Sequence, residues 1–144
     1  MRDFSVRFQT ELFDYRTPIP EEANAGNRFY GRDVAEFLSR GMASPSLATD
    51  FLDEDWGWLV LGKTSDEKFI EIAVYNLSDE AGEAAPSGNE WGLWVRAFEK
   101  RKWLGLFNKS YEVELPEPLA TQLARLLRDA GIEPFPWKRD ESDA

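Results

Sequence analysis

Phe4, Val6, Phe8 and Leu12 fall on even positions, with Ser5, Arg7, Gln9 and Glu11 between them. That two-residue period predicts a strand with one buried face. A polar loop with Pro18, Pro20, Asn24 and Gly26 follows. Tyr30, Val34, Phe37 and Leu38 then recur at helical spacing opposite Arg32, Asp33, Glu36 and Arg40. They predict a helix from Phe29 to Arg40, with Gly41 as its C-terminal stop. Past a loop around Ser44-Pro45-Ser46, the segment Asp53 to Leu61 reads as an acid-led strand, and Lys68 to Leu77 and Glu90 to Glu99 are two more β-rich runs. Ser78 to Asn89 is polar and reads as a mobile hairpin loop. Tyr111, Val113 and Leu115 alternate with glutamates as a further short strand. Pro116 and Pro118 suit the first turn of a helix whose apolar stripe is Leu119, Leu123, Leu126, Leu127 and Ala130, ended by Gly131. Ile132 to Trp137 is extended, and Pro134 and Pro136 confine it to a sheet edge.

The order β-α-β-β-β-(β)-α-β predicts an α+β two-layer sandwich: a largely antiparallel sheet of five or six strands with two helices on one face. It is close to a ferredoxin-like plan with an extra hairpin. Residues 1–137 read as one domain and the charged residues 138–144 as a disordered tail. Two helices shield only one side of such a sheet. Leu59 and Leu61, Ile70 to Val74, and Trp91 to Val95 supply aliphatic sets for a floor beneath the helices. The opposite sets hold Trp56, Trp58, Phe69, Tyr75, Trp94 and Phe98, more aromatic surface than most monomers leave open. A partner, a second copy, a ligand, or a loop of the same chain (78–89 or 100–108) is expected to cover them.

Composition changes the picture mainly by exclusion. The 144 residues include no cysteine and no histidine, which removes thiol nucleophiles, disulfides, imidazole-based triads and thiolate or imidazole metal sites. No apolar run approaches a membrane span, and the N-terminus lacks a secretory signal, so a cytoplasmic protein is expected. The net charge is −10, which opposes nucleic acid as a ligand and favours a basic protein partner. The segment 96–110 runs against this trend, with five basic residues and one acidic.

Three segments invite chemistry. Gly57 to Thr64 matches the phosphate-loop pattern, but its spacer, Trp-Leu-Val-Leu, wants a strand, and Ser65 to Lys68 reads as a turn into another strand. Asp50, Asp53, Glu54 and Asp55 cluster where a calcium loop would need its closing glutamate at position 64, which is threonine. These acids read instead as a rim beside Trp56 and Trp58, suited to an Arg or Lys of a partner. Lys100, Arg101, Lys102 and Trp103 form a secondary basic-aromatic segment.

Glu54 to Trp58, Trp91 to Val95, Trp103 to Phe107 and Leu119 to Leu127 together resemble a family of small, uncharacterised bacterial α+β proteins with a Glu-Asp-Trp-Gly-Trp strand start. The chain is also similar in style to bacterial immunity proteins, which are small and acidic and neutralise a toxin by binding. Neither resemblance implies a catalytic residue or a cofactor. The expectation is a tryptophan-rich, non-enzymatic module binding a basic protein, or itself as a homodimer, through Asp53, Glu54, Asp55, Trp56, Trp58, Trp94 and Phe98. The alternative is a small-molecule binder or carboxylate-based enzyme with its pocket on the aromatic face.

Overall fold

A computed structural model describes residues 3–14, 31–54, 57–77, 89–103, 105 and 107–137. Among these residues seven strands and two helices follow in the order β1 (Asp3–Gln9), α1 (Arg32–Met42), β2 (Leu47–Glu54), β3 (Gly57–Thr64), β4 (Lys68–Asn76), β5 (Glu90–Trp103), β6 (Phe107–Val113), α2 (Glu117–Asp129) and β7 (Phe135–Pro136). The strands form one antiparallel sheet in the order β2-β3-β4-β5-β1-β7, with β6 also paired to β5. The α+β class is as predicted. The ferredoxin-like plan is not: a split βαβ unit requires parallel neighbours, and every pairing here is antiparallel.

The long β5 organises the sheet. Its whole N-terminal part pairs with β4 on one side, from Asn76↔Trp91 to Lys68↔Glu99. On the other side β1 lies beside residues 90–96 and β6 beside residues 97–103. Beyond Glu99, among the described residues, β5 pairs with β6 alone, so the two continue as a ribbon turning at Gly105, whose φ is 71°.

The helices lie over one face. Val34, Ala35, Leu38 and Met42 form the buried stripe of α1, which packs on β2, β3 and α2. Leu123 and Leu127 of α2 join the same core. Beneath them, registered rows run Phe51–Val60–Ile72–Val95–Phe4 and Trp58–Val74–Leu93–Val6. Thr49 Oγ1 donates to the Ser39 carbonyl at 2.7 Å, tying β2 to α1. Gln122 Nε2 reaches the carbonyls of Gly41 and Met42, both at 3.3 Å, tying α2 to the end of α1.

Several expectations require correction. Gly41 does not stop α1 but lies inside it, because α2 comes so close that a Cβ at position 41 would meet Leu126 Cδ2 at 2.4 Å. Gly131 does end α2: with φ 76°, it places its own N–H on Arg128 O and that of Ile132 on Leu127 O, each at 2.9 Å. Leu47–Glu54 is a strand of its own, so Asp53 and Glu54 end β2 rather than lead the strand that runs to Leu61. Leu12 is 61% exposed while Phe13 is buried, because β1 ends at Gln9 and the two-residue phase ends with it. Phe13 instead packs on Phe37 and edge-on against Trp91, at 5.4 and 6.2 Å between ring centres. The expectations for residues 18–27, 78–88 and 138–144 lie outside the described residues.

The phosphate-loop match is a strand leading into a hairpin. Glu67 N–H donates to Thr64 O at 3.3 Å, and Glu67 holds a left-handed φ of 63°. This is the three-residue connection whose last position favours glycine. Within it the Thr64 hydroxyl donates to the Asp66 carboxylate, which with Lys68 nearby holds the Asp66 pKa below its ordinary value. Replacing Glu67 by glycine relieves the Cβ conflict of the left-handed region. Glu67→Gly should therefore raise the urea midpoint, by about 0.5–1 kcal/mol in stability; a loss would show that the turn tolerates a side chain without strain.

At the start of α1, Asp33 Oδ2 accepts the Asp14 N–H at 2.6 Å and Oδ1 accepts that of Val34 at 3.1 Å. Burial nevertheless dominates and raises the Asp33 pKa above 3.8, with the Asp14 charge adding to the rise. The folded state then binds this proton more tightly than the unfolded chain does. Its contribution is most favourable below the unfolded value and declines as pH rises through the folded one. Asp33→Asn keeps an acceptor without the charge, so its stability relative to wild type should improve as pH rises above 3.8. Urea titrations of both proteins from acid to neutral pH would show this; parallel curves would refute it.

Candidate functional site

The side of the sheet away from the helices is built from the other half of each strand. Its rows run Leu52–Leu59–Ala73–Trp94–Ser5, then Asp50–Leu61–Glu71–Arg96, then Ala48–Lys63–Phe69–Phe98–Glu112. An apolar row, a charged row and an aromatic row thus lie side by side. Leu52 and Leu61 are both 37% exposed.

Register separates the proposed contact residues. Trp58 opposes Val74 and Asp53, so it points at the helices; it is 5% exposed and belongs to the core. There it contacts Phe51 at 6.3 Å between ring centres, and a Cβ on Gly31 would lie 3.0 Å from its Cδ1. Trp58 is therefore withdrawn from the contact surface. The β3 sets are the reverse of expectation: Trp58 and Val60 form the floor, and Leu59 and Leu61 face outward. Asp53 shares the helix side with Trp58, whereas Glu54 lies on the open side. Asp55 and Trp56 fall outside the described residues. Among the described residues no three acidic side chains gather in a metal-binding group. Trp94 and Phe98 do lie on the open face.

The aromatic rings of this face hold cations from the chain itself. The Arg96 guanidinium sits 3.9 Å from the centre of the Trp94 ring and 5.3 Å from that of Phe98. Its Nη2 pairs with Glu71 Oε2 at 3.2 Å. Lys63 and Lys100 place their ammonium groups 5.7 and 4.7 Å from the centre of the Phe69 ring. Arg101 turns to the other side of β5, where it pairs with Glu99 at 3.2 Å and lies 5.5 Å from the Tyr111 ring. The basic-aromatic segment is thus strand, not a lid, and its alternate residues part company; Lys102 and Trp103 pair with Asn108 and Phe107 through the backbone.

The cover over one end comes from an unforeseen residue. Trp137 N–H donates to Ser5 O at 3.1 Å, and its ring lies over Gly92, where a Cβ would come 2.7 Å from Cζ3. It meets Tyr75 edge-on at 5.5 Å. A glycine inside an otherwise apolar strand was the available signal, since such positions often mark close approach. Toward the Phe69 row the face forms a groove of about 520 Å³, whose walls include Ala48, Leu61, Phe69 and Phe98, with Asp50, Lys63, Glu71 and Lys100 along it.

Arg96 joins two rings and a carboxylate at a half-buried position. Arg96→Ala should cost about 1–2 kcal/mol in denaturant unfolding, against less than about 0.5 for the more exposed Arg101→Ala. Equal effects would mean that the stacking adds nothing. A scan against protein-family models finds no match to this chain, and searches of curated proteins and of solved structures find none either.

Proposed function

We propose that the chain is a non-enzymatic binding module whose contact surface is the helix-free face of the sheet. The observation that carries this reading is that Leu52, Leu59 and Leu61 face outward on the same side as Phe69 and Phe98, with both helices on the other side. Apolar side chains left facing outward over adjoining strands mark contact surfaces.

The net charge of −10 supports a basic protein partner, in the manner of an immunity protein, drawn in over long range. At contact distance the surface favours something else, because Arg96, Lys63 and Lys100 already occupy the ring faces that a partner's cations would use. The groove favours a second reading, a small-molecule binder, on the strength of its volume alone.

The double variant Leu52→Asp/Leu61→Asp tests the face without opening the core. Tagged wild-type protein expressed in its native cell should retain a stoichiometric companion, or self-associate by light scattering. The double variant should lose either one, while Arg125→Glu on the exposed side of α2 keeps it. Equal recovery by both variants, with unchanged circular dichroism, would remove the open face as the contact surface.

A further inference from the structure

Resting on the open face being the binding surface, we propose that its groove takes a small amphipathic anion: one carboxylate or phosphate head on an apolar body. The volume of about 520 Å³ lies within the range of small-molecule sites. Ala48, Leu61, Phe69 and Phe98 supply apolar walls on four neighbouring strands.

Charge selects the head. Lys63 and Lys100 come from different strands, β3 and β5, yet both hold their ammonium groups against the one Phe69 ring of β4. A ring face attracts a cation but accepts none of its three N–H bonds in the ordinary sense. Among the described residues no carboxylate forms an ion pair with either ammonium. Glu71, the acid between the apolar and aromatic rows, is engaged by Arg96 at 3.2 Å. Asp50, the other acid along the groove, accepts the Phe51 N–H at 2.8 Å. The groove's own lining thus holds two lysines and two acids, and one of those acids is already paired with Arg96. A cationic ligand would meet the lysines head-on, and a neutral one would leave their donors to water. An amphipathic anion satisfies both the lysine donors and the apolar walls.

Amide-resolved NMR titration of the full chain tests this with decanoate, decyl phosphate, decanol and decyltrimethylammonium, each below its micelle concentration. Either anion should saturate, with shifts centred on residues 61–63, 69–71 and 98–100, and bind at least about tenfold more tightly than the cationic amphiphile. The tighter anion identifies the head group. Lys63→Gln/Lys100→Gln should weaken the anions about tenfold and leave decanol unchanged. Equal binding of anion and cation, shifts outside the groove, or no saturation would overturn the proposal. Shifts confined to the Leu52–Trp94 row would overturn the ligand class while keeping the open face. Silence over the whole face, together with undiminished companion binding by Leu52→Asp/Leu61→Asp, would overturn both.

Discussion

The constraint on which this structure depends is that both helices cover the same side of a seven-stranded sheet. On the covered side the solution is direct: Trp58, Val60, Ile72, Val74, Leu93 and Val95 are each no more than 5% exposed, and truncating a buried Ile or Leu to alanine typically costs about 2–5 kcal/mol. On the other side, among the described residues, neither helix lies over the strands and Trp137 covers one end. The strands there use long polar side chains as partial cover, laying the stems and heads of arginine and lysine across aromatic rings while the charges stay wet. The Arg96 stack on Trp94 and the paired lysines at Phe69 are the two clearest cases.

This arrangement separates what the protein presents at a distance from what it presents on contact. The summed field of a −10 chain is negative on approach and fades over a screening length of about 8–10 Å. At contact the open face shows cations at the Trp94 and Phe69 rings. Total charge is therefore a poor guide to what settles on this surface, since the long-range and short-range terms differ in sign.

Much of the fold was legible because charge marks one side of the relevant strands. Glu71 and Arg96 assign outward parity to their neighbours in β4 and β5, and the aliphatic residues between them had to be the floor. In β3 the same signal existed but lay further along: Lys63 shares parity with Leu59 and Leu61, which marks that set as outward. The size of the tryptophans suggested a contact surface, but burying an indole removes more apolar area from water than burying a leucine, and Trp58 went inside. β2 was harder to read because Asp50 and Glu54 charge one parity and Asp53 the other. That is how an edge strand resists pairing with other chains, and it erases the alternation that identifies strands. Trp137 was invisible as part of the site, since only tertiary contact brings it over Gly92.

The β5–β6 ribbon runs on past the last rung shared with β4, carrying Lys100, Arg101, Lys102 and Lys109 on its backbone. Residues 96–110 thus carry a net charge of +4, against −14 on the rest of the chain. A negatively charged surface therefore meets attraction at this ribbon and repulsion from the net charge of the chain, and both weaken as added electrolyte shortens the reach of the field.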